Sequence, residues 1–192
     1  KGARVGLLTT HGYESVLQVA RSFCPGGLGG WVSFVKGPLL APLELTYGVK
    51  ERTDASGDIS VKLDEDHLRE QLNLLKDKGE VEALTISFVN SYINDKNEIL
   101  AAKIAAEIFT DIPISISSEV IPEMQEYERA ETTVLNSYVR PQVSNYVNNL
   151  QSNLEKKLGN DVQLSILRSD GGLASSRATA DSPVNHLMSG PA

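Results

Sequence analysis

The sequence predicts an α/β protein: a parallel or mixed sheet with helical crossovers, plus a β-hairpin. Three observations carry this. Between residues 64 and 117, amphipathic helical stretches alternate with short apolar strands across brief connections, the rhythm of strands joined by crossover helices. An apolar run, ARVGLLTT (3–10), opens the chain and ends in a polar turn. Leu43, Leu45, Tyr47 and Val49 alternate with polar residues, DASGD (54–58) turns, and Ile59, Val61 and Leu63 alternate again, which reads as a hairpin.

Taken in order, ARVGLLTT is a buried strand. GYESVLQVARSF (12–23) spaces Val16, Val19 and Ala20 for one face of a short helix. CPGGLGGWVSFVKGPLLAP (24–42) holds paired glycines and three prolines and reads as an irregular loop carrying Trp31 and Phe34. The hairpin follows. Asp64 is placed to cap a helix whose Leu68, Leu72 and Leu75 share a face before Gly79 ends it. VEALTISFV (81–89) is a strand with Leu84, Ile86 and Phe88 on one side. NEILAAKIAAEIF (97–109) is a helix expected to turn Ile99, Leu100, Ile104 and Ile108 inward, and IPISISS (112–118) is a further strand. A long helix over 130–158 spaces Leu135, Val139, Val143, Val147, Leu150, Leu154 and Leu158 by three or four; Pro141 within it either kinks the helix or starts a second one. VQLSILRS (162–169) returns to a strand. The organisation expected is residues 1–63 as first strand, glycine-rich loop and hairpin, and 64–192 as the α/β part, in one continuous piece of a larger protein.

Composition narrows the function. Eighteen basic against 25 acidic residues give a net charge of -7, so no basic stripe suits a nucleic-acid backbone. Cys24 is the only cysteine, which excludes an internal disulfide and a cysteine-rich zinc site. No apolar run approaches the roughly 20 residues that span a bilayer, and the first residues are not a signal peptide; a cytoplasmic protein without a membrane partner is expected.

Few residues look chemical. SDGG, Ser169 to Gly172, follows a strand directly. Its glycines would let backbone amides approach an anion, with Ser169 or Asp170 near phosphate or a metal-bound water; the alternative is a tight turn. SGPA, Ser189 to Ala192, has the same ambiguity. The stretch SSEVIPEMQEYERAETT (117–133) is acidic, with Glu119, Glu123, Glu126, Glu128 and Glu131 around Arg129. It either orients a cation or polar substrate or forms a solvated helix face. His11, His67 and His186 lack metal-ligand spacing, and Cys24 has no fixed histidine partner. GGLGG (26–30) is neither GxGxxG nor a Walker loop.

Four stretches together resemble one family: KGARVGLLTTHGYESVL, ERTDASGDISVKLDE, ISSEVIPEMQEYERAETTVLNSYVRPQV and LRSDGGLASS with SPVNHLMSGPA. Their order and content are similar to hydantoinase A and 5-oxoprolinase, a family that includes subunits of acetone and acetophenone carboxylases. The resemblance implies part of an actin/Hsp70-like ATPase fold. It also implies ATP-dependent phosphorylation of a carbonyl or cyclic amide oxygen, followed by ring hydrolysis or ketone carboxylation. Expected cofactors are ATP and Mg²⁺ or Mn²⁺, held largely by segments outside this stretch, with bicarbonate in the carboxylase branch and no biotin. Expected partners are a small carbonyl or lactam substrate and a hydantoinase B-like subunit. By the same resemblance, Ser169, Asp170, Gly171, Gly172, Ser189 and Gly190 approach the nucleotide, with Asp170 toward the metal. Glu123, Glu128 and Arg129, the catalytic candidates, organise the substrate side or brace the loop that does. The isolated stretch is expected to be inactive, and a structural, subunit-docking domain is the alternative.

Overall fold

A computed structural model of the chain describes residues 2–22, 24–159 and 162–190. Strand β1 (Val5–Thr10) lies inside a four-stranded sheet, between β2 (Thr46–Val49) and the fifth strand of the chain, Ala83–Ser87. The sixth, Ile114–Ile116, lies beyond that one, and all three pairings are parallel. The short β3 (Arg52–Thr53) and β4 (Ile59–Val61) form a separate antiparallel ribbon. With these ranges given, the sheet order is β2-β1-β5-β6.

Every residue of β1 and of β5 is buried, as expected of parallel strands covered on both faces. Alternate side chains divide between two cores. Leu8, Leu84 and Ile86 join the leucines of α3 (Glu65–Asp77) and Ile104 of α4 (Lys96–Ile108). Val5 and Leu7 point the other way, to Leu17 of α1 (Val16–Val19) and to Ala130 and Val134 of the long helix α6 (Glu126–Leu158). Helix α3 starts where its sequence says: the Asp64 carboxylate accepts from His67 N at 3.0 Å, and Leu68, Leu72 and Leu75 are fully buried.

Several readings are corrected. The alternating run 43–49 is not half of a hairpin; its second half is β2, paired parallel with β1, and only β3 and β4 make the ribbon. Alternation marks a strand but does not name its partner. The helix expected over 12–23 shrinks to the four residues of α1, and Phe23 lies outside the described residues. The glycine-rich loop instead contains α2 (Gly27–Ser33). Gly30 explains it: a Cβ there would stand 1.9 Å from the Pro25 carbonyl oxygen, so the missing side chain lets this turn close on itself. In α4 the inward set is Asn97, Glu98, Ala101, Ile104 and Ala105, whereas Ile99 and Leu100 are each 36% exposed.

Helix α6 runs unbroken through Pro141. Its apolar stripe is not what meets the sheet. The buried positions of its first half are Arg129, Ala130, Thr133, Val134, Asn136 and Ser137, while Leu158 at its end is 69% exposed. Ser137 accepts from Thr85 Oγ1 at 2.7 Å, and Arg140 donates to the Ile114 carbonyl at 2.6 Å. After α5 (Ser117–Val120) and α6 come a second ribbon, β7 (Ser165–Leu167) and β8 (Leu173–Ser175), and α7 (Ser176–Asp181). Asn136, Arg140 and Ser144 of α6 bond to Asp181 and Ala180 of α7.

Because Leu72 is fully buried in the larger core, Leu72→Ala is expected to lower stability by about 2–5 kcal/mol, read as a reduced urea midpoint at unchanged slope.

Candidate functional site at the carboxyl edge of the sheet

Strand order locates the edge where a ligand would be met. The chain leaves β1 for β2 on one side and later takes up β5 on the other. The crevice beyond the carboxyl ends of β1 and β5 is therefore the switch point at which open α/β sheets bind their ligands. Thr10 to Glu14, Glu51 and Arg52, Phe88 to Tyr92, Ser117 and the first turn of α6 gather there.

Beneath this edge lies a buried ionic cluster. Glu98, fully buried, accepts from Phe88 N at 2.7 Å, Ser117 Oγ at 2.6 Å and Ser118 N at 2.9 Å. Arg129, 1% exposed, donates to Ser117 Oγ at 3.1 Å, to the Phe88 carbonyl at 2.7 Å, to the Glu123 carbonyl at 3.1 Å and to the Glu126 carboxylate. Ser117 Oγ thus stands between the two charges, donating to one and accepting from the other. The Arg129 guanidinium also lies 5.3 Å from the centre of the Tyr92 ring.

A second buried carboxylate, Glu51, receives Thr10 Oγ1 and Asn97 Nδ2, the latter at 2.8 Å; Thr10 Oγ1 in turn accepts from Val89 N at 2.9 Å. Burial pushes the Glu51 carboxyl above its ordinary value of 4.5, against the lowering effect of those two donors, and the charge of Glu98 adds to the rise. Two non-glycine residues of this edge have left-handed backbone, Asn90 at φ 58° and Gln125 at φ 91°. They belong to loops that meet, since Asn90 N donates to Glu126 at 3.2 Å; such strain persists only where the surroundings over-determine it. On the solvent side, His11 lies 3.2 Å from Glu14, and Arg52 stacks over Tyr13 at 5.2 Å.

The residues singled out from sequence fall in three places. Arg129 is in the buried cluster, and Glu123 contributes its carbonyl to it while its side chain is exposed. Glu128 instead turns to Arg21 of the loop after α1, at 2.6 Å, and this bond holds its carboxyl below the usual range. Ser169 to Gly172 form the turn between β7 and β8, packed on the residues that follow α7. The Ser169 amide donates to the Asn185 carbonyl, the Gly171 amide to the Arg168 carbonyl and the Gly172 amide to Asp170. The other Asp170 oxygen pairs with Arg168 at 2.9 Å. Ser189 bonds back to the His186 carbonyl, Gly190 is exposed, and Pro191 and Ala192 lie outside the described residues.

No hydrogen bond or ion pair among the described residues links the SDGG turn to the Glu123–Arg129 segment. The amides of Ser169, Gly171 and Gly172 and both Asp170 carboxylate oxygens thus have partners within the turn and the segment after α7. No group of three or more His, Cys, Asp or Glu side chains among the described residues is placed to hold a metal ion. Glu51, Glu98 and Thr10 were not singled out from sequence. The one signal for Glu98 was a carboxylate in the first turn of an otherwise apolar helix.

Comparison with known proteins follows from this architecture. The hydantoinase/oxoprolinase N-terminal region matches residues 1–109, and the hydantoinase/oxoprolinase domain matches residues 129–192. The chain belongs to the hydantoinase/oxoprolinase family. A family member from Methanocaldococcus jannaschii, an uncharacterised protein, is 33% identical over 98% of this chain and 27% of its own length. The caprolactamase alpha subunit of Pseudomonas jessenii is 29% identical over the whole chain and 27% of its own length; the crystal structure of that ATP-dependent enzyme superposes with a TM-score of 0.80, at 28% identity over 96% of this chain and 27% of that one. The nucleotide-free structure of an ATP-dependent acetone carboxylase superposes with a TM-score of 0.86, at 27% identity over 99% of this chain and 28% of that one. The chain therefore spans about a quarter of the length of these hydantoinase/oxoprolinase relatives, within an α/β framework of the actin/Hsp70-like ATPase class. No helix among the described residues is long and apolar enough to cross a membrane.

Two outcomes are expected. Arg129→Met leaves Glu98 a buried charge without its cation and costs about 3–5 kcal/mol; adding Glu98→Gln recovers part of the loss, so that the double variant unfolds at higher urea than additivity of the single changes gives. For Glu51, the folded state binds its proton more tightly than the unfolded chain. Its contribution to stability is present below the ordinary value of 4.5 and is lost as pH rises through the elevated folded value. The urea midpoint of the native protein should fall relative to Glu51→Gln as pH is raised from 4.5 toward neutrality.

Proposed function

We propose that this chain is one part of a larger ATP-dependent enzyme that activates a carbonyl compound by phosphorylating its oxygen, either a cyclic amide to be hydrolysed or a ketone to be carboxylated. The observation that carries this reading is the superposition of nearly the whole chain on two ATP-dependent enzymes, one acting on caprolactam and one on acetone. Phosphorylation of the carbonyl oxygen by ATP turns a poorly electrophilic amide carbon, or a poorly enolised ketone, into a reactive species, the phosphate being released once the ring has opened or the new carbon–carbon bond has formed.

In this reading, Arg129 is a positioning residue that holds the Phe88 peptide and Ser117 at the carboxyl edge, and Glu123 and Glu128 brace the segment around it. Ser169 to Gly172, Ser189 and Gly190 form one rim of the nucleotide site, completed by ATP- and Mg²⁺- or Mn²⁺-binding segments beyond this chain. That three of the turn's four amides already have partners supports a rim over a complete cradle. Bicarbonate is the second substrate in the carboxylase case, biotin is not used, and the enzyme works in the cytoplasm with a hydantoinase B-like subunit; the alpha-subunit character of the caprolactamase relative supports such a partner.

A second reading, a docking domain without a catalytic role, is favoured by the exposure of Trp31, Val32 and Val35 at and beside α2, by 67%, 90% and 87%. One assay separates the two. The complete enzyme with its partner subunit is expected to release ADP in proportion to added ε-caprolactam, or to acetone with bicarbonate. ATP cleavage indifferent to both substrates, from a stably assembled complex, would favour the docking role.

A further inference from the structure

Helix α1 is flanked by two features. Beside it a cavity of about 750 Å³ opens against the segment after α2 and α6, lined in part by Leu17, Leu39 and Val134. Before its first turn, residues 11–15 lead the chain away from the end of β1 at the switch-point crevice, and here an imidazole and a carboxylate meet. His11 Nδ1 lies 3.2 Å from Glu14 Oε1, and Gly12 N donates to the same oxygen at 3.1 Å. The turn is also held by its backbone: His11 N donates to the Val49 carbonyl at 2.8 Å, and Tyr13 N to the Thr10 carbonyl at 2.9 Å.

The seat of the Glu14 carboxylate exists because a side chain is missing. Gly48 of β2 is buried, and a Cβ there would stand 1.8 Å from Glu14 Oε1 and 2.7 Å from Glu14 Cδ. Its backbone is not left-handed, so what glycine provides at this position is the close approach of the carboxylate. An ionised carboxylate only accepts hydrogen bonds. The imidazole nitrogen facing it must therefore carry the hydrogen, which leaves Nε2 its lone pair. No hydrogen bond among the described residues engages Nε2, and the His11 side chain is 67% exposed. The cation of β3, Arg52, is occupied by Tyr13, donating to its hydroxyl at 3.4 Å and stacking on its ring. Among the described residues no ion pair joins Arg52 to Glu14, so the carboxylate serves the imidazole and one amide.

The geometry points to His11 Nε2 as the base that takes the proton beside the substrate's carbonyl, with Glu14 as its positioning residue. This rests on the reading of the chain as part of a carbonyl-activating enzyme and supplies the proton acceptor that the reading lacks. A carbonyl oxygen is a weak nucleophile toward phosphorus while the atom next to its carbon keeps its hydrogen. Nε2 takes that proton, from the nitrogen of an amide or the α-carbon of a ketone, and the electron pair of the broken bond forms a double bond to the carbonyl carbon. The former carbonyl π pair then bonds the oxygen to the γ-phosphorus of ATP, and the bond from that phosphorus to ADP breaks with its pair leaving on ADP. The imidazolium so formed lies beside the Glu14 carboxylate, which stabilises it and holds the ring in one tautomer. The position also suits the role, because the turn after β1 borders the crevice where open α/β sheets meet their ligands.

The test uses the complete enzyme with its partner subunit, measuring substrate-stimulated ADP release against pH. His11→Ala is expected to lower kcat by about 100-fold with KM little changed, to lose the acidic limb of the native profile, and to regain activity with added imidazole. Glu14→Gln should lower kcat by less, about tenfold, because solvent screens an exposed pair. It should also move the acidic limb to lower pH, since the imidazolium loses its counter-charge. Gly48→Ala, which evicts the carboxylate from its seat, should reproduce the Glu14→Gln profile. Without ATP or substrate, nitrogen NMR of the imidazole should show the hydrogen on Nδ1 in the native protein and a mixture of tautomers in Glu14→Gln; circular dichroism melting confirms that each variant is folded. A loss in His11→Ala of less than about tenfold, a loss that imidazole does not restore, an acidic limb unmoved by Glu14→Gln, or no preference for Nδ1–H in the native protein overturns the assignment. Stimulated ADP release that His11→Ala leaves intact defeats the base alone. Release that neither carbonyl compound stimulates in the native enzyme defeats the reaction reading and the base with it.

Discussion

The peptide groups of Phe88 are held from both sides by buried charges, and the rest of the carboxyl edge depends on that clamp. Its amide donates to Glu98 and its carbonyl accepts from Arg129, while Ser117 Oγ joins the two charged groups directly. Neither ion can be buried alone at tolerable cost. Helix α4, which carries Glu98, helix α6, which carries Arg129, and the β6–α5 junction, which carries Ser117, must therefore arrive together at the end of β5. Such clusters contribute little net stability compared with apolar packing of the same volume. What this one provides is register: it admits one placement of α6 along the sheet.

That placement propagates. From Arg129, α6 continues along the sheet through Ser137 and Arg140 and hands on, through Asn136 and Ser144, to α7 and the β7–β8 ribbon. The two faces of the sheet are consequently unlike. The α3–α4 face is closed by leucine and isoleucine packing, whose energy is spread over many small contacts. The α6 face is closed by Val134 and Ala130 among hydrogen-bonded polar side chains, where each bond has a direction. A helix seated by directional contacts holds the carboxyl edge, the cavity beside α1 and the SDGG turn at fixed separations, which nonspecific apolar packing does not guarantee.

The chemistry distributes accordingly. The carboxyl edge is braced from below by Glu98, Arg129 and Glu51, with strained backbone at Asn90 and Gln125 above it. The SDGG turn bonds within itself and to Asn185 in the segment after α7. The chain spans about a quarter of its relatives' length, and within it the braced edge, the cavity beside α1 and the SDGG turn are separate features tied together by α6.

The amino-acid sequence by itself determined the α/β class, the capped helix at Asp64, the strands around Leu8 and Ile86, and, through long motifs, the family. These are local matters: helical and strand periodicities, one capping side chain, and ordered runs of residues are all contained in a short window. It did not reveal that residues 46–49 pair parallel with β1, because alternation carries no record of the partner strand. It did not reveal that Glu98 and Arg129 share Ser117, because 31 positions separate the two charges and helix patterning assigns charged groups to solvent. The apolar stripe of α6 was legible, yet the tertiary structure seats that helix on its polar one. Buried polar groups require partners from distant strands, and only the folded chain supplies them at bonding distance.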